Sequence, residues 1–144
     1  MGSLVIRSFA YSRGDPPPAN VVLDMRFLRN PHWQEGLRDL TGLDAPVGAY
    51  IAGDESYADA LERIEALLLA LLPCYGRAAQ PVLSVAFGCT GGRHRSVHVA
   101  EHIAARLRAA GFSPTIDHRD LATPPRDGIE RSSGAEQAAF KVTE

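Results

Sequence analysis

Lysine is almost missing from this 144-residue chain: Lys141 stands alone, and the other fourteen basic residues are arginine. Cysteine is nearly as scarce. Cys74 and Cys89 are the two, too few for a disulfide framework. No apolar run approaches the ~20 residues that cross a bilayer. The greasiest stretch, residues 67–72, is shorter than two helical turns. The opening MGSLVIR has no basic region ahead of a long apolar one, so no secretory signal is expected. Net charge is only -2, which excludes a broadly cationic nucleic-acid binder but leaves room for a local basic site. There are no internal repeats. These absences predict one domain without membrane contact, in a reducing cytoplasm.

What is present is ordinary for a globular fold: 45% hydrophobic and 22% charged residues. A chain of this size buries about 70% of its unfolded surface, so no metal or disulfide staple is required. Alanine and proline are also abundant, so the bulk of the arginine excess reads as compositional bias. Arginines inside motifs are judged one by one.

Residues 4–11 (LVIRSFAY) and 21–28 (VVLDMRFL) read as strands, separated by Arg13-Gly14-Asp15 and three prolines that cannot donate to a ladder. Asn30 to Trp33 reads as a loop, 34–40 as a short helix, and 45–51 as a further short turn. Apolar residues at helical spacing predict a helix over 54–72, capped by Ser56 and ended by Pro73. Residues 82–87 (VLSVAF) form a buried strand, 88–92 a glycine-rich turn, and a second helix runs from Arg93 or His94 to about Ala110, with Gly111 as C-cap. A last strand covers 115–118. The order β, β, α, β, α, β predicts a small three-layer α/β/α domain over residues 1–121, with a mostly parallel sheet of about four strands. Residues 122–144, rich in Thr, Pro, Ser and Gly, are expected to form a flexible tail.

The strongest chemical signal is FGCTGGRHRS, residues 87–96, between a buried strand and a helix start. Glycines there let backbone amides approach a ligand, the helix start adds partial positive charge, and Arg93, His94 and Arg95 add donors. Cys89, Thr90, Gly91, Gly92, Arg93, His94, Arg95 and Ser96 therefore make a candidate phosphate site at a strand's carboxyl end. The spacing Cys89-x5-Arg95 is also similar to the loop of cysteine-dependent phosphatases, where a thiolate attacks phosphorus; that enzymatic reading is kept as the alternative. A second group, Arg26, Asn30 and His32, follows a strand end where pocket walls form. Arg26 reads equally as an ion-pair partner of Asp24. His94, His98 and His102 lie off the apolar arc of the second helix. They read as solvated residues or a subunit contact before a zinc site. Cys74 reads as a buried small hydrophobe rather than a ligand. No metal or cofactor is expected.

The runs VVLDMRFLRNPHW…LRDLTGLDAPV, VAFGCTGGRHRSVHVAEHIAARLRAAG and DHRDL resemble the C-terminal domain of the RapZ RNase adapter family over residues 4–121. The resemblance implies a domain that binds glucosamine-6-phosphate, binds a small RNA and assembles into homo-oligomers. It places the sugar-phosphate pocket on Cys89, Thr90, Gly91, Gly92, His94 and Arg95. It also implies an N-terminal P-loop domain. The chain carries no Gly-x4-Gly-Lys-Ser/Thr, so a stand-alone C-terminal domain is expected. Two departures matter. Where the family has a glycine-aromatic-basic-aromatic pattern, this chain reads Phe9-Ala10-Tyr11-Ser12-Arg13-Gly14, with Arg13 in place of a ring. The basic cluster after the last strand is also replaced, by Ala122-Thr123-Pro124-Pro125. RNA affinity, which depends on neutralised phosphates, is therefore expected to be weakened. The function expected is a non-catalytic sensor of a phosphorylated metabolite such as an amino-sugar phosphate.

Overall fold

The computed structural model describes residues 3–76 and 82–123. Four strands build one parallel sheet: β1 (Ser3–Ala10), β2 (Val21–Asp24), β3 (Val82–Cys89) and β4 (Thr115–His118), in the order β2-β3-β1-β4. Three helices connect them: α1 (Ala45–Ala52), α2 (Tyr57–Gly76) and α3 (Arg95–Ala109). This is the expected α/β class with its four-stranded parallel sheet.

The alternation of each strand decides where the core sits. Leu4 and Ile6 of β1, Leu83, Val85 and Phe87 of β3, and Ile116 of β4 share a face with Val21 and Leu23 of β2. Onto that face pack Val47 and Ile51 of α1, Leu61, Leu68 and Leu72 of α2, and Val99, Ala100, Ile103, Ala104 and Leu107 of α3. Each fully buried aliphatic side chain contributes ~1.5–3 kcal/mol. All three helices thus belong to one layer. The opposite face, with Val5, Val22, Val82 and Ser84, carries none of them, so the described residues supply no third helical layer. Val22 and Val82 are exposed there at 41% and 39%.

Edge strand β4 is anchored by a polar relay. Ser8 Oγ lies 2.6 Å from His118 Nδ1, and His118 Nε2 lies 2.8 Å from a Glu101 carboxylate oxygen, tying β1, β4 and α3 together.

Several local expectations are corrected. Residues 34–40 form successive turns rather than a helix, with Leu37 N–H donating to Gln34 O and Leu40 N–H to Leu37 O. Gly36 has φ +83°, which a right-handed helix does not admit. Residues 45–52 are a helix, α1, rather than a turn: Pro46 suits its first turn, and Gly48 lets the His98 ring pass within 2.8 Å of where a Cβ would stand. Pro73 does not end α2; one more turn follows it. Strand β2 stops at Asp24, four residues short of the sequence expectation. Asn30 to Trp33 is not open loop throughout, since Pro31–Trp33 forms a 3-10 turn capped by the Asn30 side chain. The tail expected over 122–144 lies outside the described residues from 124 onward.

Candidate functional site

The four strands are parallel, so their carboxyl ends meet at one rim. The loop leaving β3 lies at its centre. Gly88 is glycine because a Cβ would stand 2.4 Å from the Phe9 ring and 2.6 Å from that of Tyr11. Gly92 has φ +69°, and a Cβ there would meet Ala10 and Asp120. Both glycines are thus fixed by the neighbouring β1 terminus.

The loop is held from every side. Ser12 donates through Oγ to the Thr90 carbonyl at 2.6 Å. Arg93 donates through Nη1 to Leu121 O at 2.7 Å, gripping the segment after β4; its Nε is buried without a hydrogen-bond partner among the described residues. His94 Nε2 lies 2.7 Å from Leu40 O and 3.1 Å from Arg38 O. Arg95 donates through Nη1 to Arg26 O at 2.8 Å and Leu28 O at 3.2 Å. Consecutive side chains thus brace three separate segments of the rim.

Burial pushes the His94 imidazole down to about 4; the nearby charges of Arg93 and His32 act in the same direction, against the hydrogen bonds to Leu40 and Arg38. His94 is therefore neutral near pH 7 and donates from Nε2. The backbone is different. No hydrogen bond among the described residues uses the amides of Gly91, Gly92, Arg93 or His94. These four consecutive amides precede α3, where the helix dipole favours negative charge.

Cys89 and Ser96 close the base of the loop. The Cys89 thiol, 2% exposed, donates to Ser96 Oγ at 3.1 Å and accepts from the Ser96 amide at 3.4 Å. Neither cysteine is in a disulfide.

The second group of predicted residues borders the same rim. The Arg26 guanidinium lies on the Asp24 carboxylate at 2.6 Å and over the Tyr11 ring at 4.2 Å, while its carbonyl serves Arg95. Asn30 and His32 are buried, Asn30 Oδ1 accepting from the His32 amide at 3.1 Å. His32 reaches the loop indirectly: its carbonyl accepts from Arg38 Nε at 3.0 Å, and the Arg38 carbonyl meets His94. Arg13 ends a 3-10 turn (Tyr11–Arg13) next to Ser12.

The histidine face of α3 is not an open contact surface. His98 Nε2 lies 2.8 Å from the Tyr57 hydroxyl, and His102 packs against the same ring. The face is covered by α1 and α2 of its own chain. Among the described residues, no group of three or more His, Cys, Asp or Glu side chains gathers as a metal set.

Three contributors escape a motif search. Ser12 is hidden in a loop. Asp120, whose carboxylate accepts the Ala10 amide, is visible only as part of DHRDL. Gly42 packs so tightly on α3 that a Cβ would stand 2.4 Å from His94 O. The glycine in LTGLD is its one sequence signal.

No described helix is long and apolar enough to cross a membrane. The chain is similar to nucleotide-binding proteins of Rhizorhabdus wittichii (54% identity over 91% of this chain and 42% of that protein) and Novosphingobium aromaticivorans (53%, over 92% and 43%). The Zymomonas mobilis nucleotide-binding protein is 56% identical over 83% of this chain and 37% of its own length. The chain thus spans about 40% of the length of the relatives it matches. The family model for the RapZ C-terminal domain matches residues 2–122, and the chain belongs to that family.

Proposed function

We propose that this domain is a non-catalytic receptor for a small phosphorylated metabolite, an amino-sugar phosphate by family resemblance, bound at the loop of residues 89–95. One observation carries the reading: four successive amides at a helix start take no protein acceptor among the described residues, in a loop whose side chains are braced outward. Such amides suit phosphate oxygens. Calorimetry with glucosamine-6-phosphate, inorganic phosphate and glucosamine tests it. Heat with the two phosphates and none with glucosamine supports the anion site, and no heat with any of them overturns it.

The alternative is a cysteine phosphatase. The deep burial of Cys89, and the engagement of Arg95 with two backbone carbonyls, favour binding over covalent catalysis. Turnover of p-nitrophenyl phosphate that is lost in Cys89→Ser would favour the enzyme.

The name nucleotide-binding protein describes relatives more than twice as long. We assign no nucleotide site to this chain, which lacks a P-loop lysine motif. For self-association, which the family resemblance implies, we propose the sheet face around Val22 and Val82, which carries none of the described helices, since parallel sheets are ordinarily covered on both sides. Light scattering at micromolar concentration tests it. RNA binding is proposed to be weak. Arg106 is engaged by Glu65, Arg119 by Asp120 and Asp15, and Arg93 by Leu121. With few phosphate contacts, each worth ~-0.7 in the salt slope on single strands, filter binding should give a shallow slope.

A further inference from the structure

We propose that residues 33–43 form a ligand-responsive surface, and that His94 is the positioning residue linking it to an anion bound at the glycine-rich loop. This rests on the anion-binding reading above.

Residues 34–43 form turns, with no helix or strand among them. The segment's local bonds are all short-range: Leu37 to Gln34 and Leu40 to Leu37 along the backbone, Leu43 N–H to Thr41 Oγ1 at 3.1 Å, and the Thr41 amide to the Asp44 carboxylate at 2.8 Å. Its place is set by Leu37 and Leu40, which pack against the core, and by tethers to the loop and its neighbours. His94 Nε2 holds the carbonyls of Leu40 and Arg38. The Gly42 amide donates to Arg93 O at 2.8 Å. Arg38 Nε donates to His32 O. Gly42 backbone lies directly against the first turn of α3, with 2.5 Å between the His98 nitrogen and where a Cβ would stand. Two of these tethers run to Arg93 and His94, whose own amides are proposed to receive the anion. A shift of that loop therefore has a direct backbone route into the segment.

The far side of the segment faces solvent. Trp33 is 45% exposed and packs edge-on against His32, with ring centroids 4.6 Å apart. A hollow of about 340 Å³ lies against Trp33, Glu35, Arg38, Asp39 and Leu40. Arg38 and Leu40 thus belong both to the hollow's wall and to the His94 contacts. Occupancy at the loop is read out at this wall.

Trp33 is the sole tryptophan, so its emission reports on this segment alone. The full chain is titrated with inorganic phosphate, following heat and Trp33 emission together. The expected result is an emission change that saturates with the heat. Gly42→Ala drives a Cβ against His94 O and the first turn of α3, and so strains the joint between the segment and the loop. It should lose the emission change and, because coupling is reciprocal, alter phosphate affinity by about fivefold or more. His94→Phe removes the ring donor and should also lose the response, whereas His94→Gln, which keeps an N–H, should retain it. Heat without emission change in the parent chain overturns the linkage while leaving the anion site standing. An unaltered response in both Gly42→Ala and His94→Phe overturns it as well. Absence of heat at any phosphate concentration overturns both readings.

Discussion

The carboxylate of Asp120 accepts the backbone amide of Ala10 at 2.7 Å, joining residues 110 apart in sequence. The bond is buried and fixes the end of β1 beside the glycine-rich loop. Asp120→Ala should destabilise the fold by ~1–3 kcal/mol, because the amide is left buried without an acceptor. Asp120→Asn keeps an oxygen there and should recover much of the loss. Urea denaturation would show a lower midpoint with an unchanged slope.

Arg95 is 2% exposed and donates to two carbonyls of the segment after β2. Arg95→Ala should lower stability by ~1.5–3 kcal/mol, the range for hydrogen bonds to a charged group. Arg95→Lys should rescue poorly, since an ammonium lacks the planar fork. Thermal unfolding beside calorimetry separates two roles. A brace loses stability and ligand affinity together, and a pure ligand clamp loses affinity alone.

Acid should weaken the fold through His94. Burial lowers its pKa from 6.5 to about 4, so the folded state resists a proton that the unfolded state accepts. Stability is then fully present above about pH 6.5 and falls as pH drops toward 4. A proton bound by the unfolded chain alone costs about 1.4 kcal/mol for each pH step between those two values, so His94 accounts for roughly 3 kcal/mol of the loss. Burial displaces His98 and His102 in the same direction. Urea midpoints measured from pH 8 to pH 4 should decline, and His94→Gln should flatten the decline.

The two cysteines should react unequally. Cys74 is exposed on α2, not buried as its sequence setting suggests, while Cys89 is buried and bonded to Ser96. Iodoacetamide with peptide mass mapping should label Cys74 first and Cys89 slowly under native conditions. In denaturant the two should label alike. Fast native labelling of Cys89 would return the phosphatase reading to consideration.

The parts of the fold most legible in sequence are those with strong local patterns. The β3–loop–α3 unit combines an apolar run, a glycine cluster and a clean helical arc ending in Gly111 at φ +99°. The centre of the candidate site, the loop of residues 89–95, stands out in sequence for the same reason. Its wiring is not: sequence presents Arg93, His94 and Arg95 as donors to a ligand, while in the fold they hold carbonyls at Leu121, Leu40 and Arg26. Such partners belong to tertiary structure and leave no periodic trace. The same holds for α1, where Ala45-Pro46 suggests a turn, and only the His98 ring explains Gly48. The histidine stripe of α3 looks polar in sequence, yet the Tyr57 hydroxyl satisfies it inside a helix contact.

The strand order has a consequence for synthesis on the ribosome. Strand β1 is made first but lies between β3 and β4, pairing Ser3 with Val82 and Ser8 with His118. An emerging chain therefore holds β1 without a sheet partner until β3 has left the exit tunnel, and completes the rim only when Asp120 and Leu121 follow. Contacts so distant in sequence slow folding. A ligand bound at the proposed loop site would, on this topology, select chains whose last strand is in place, and its addition during translation should accelerate nothing before that strand emerges.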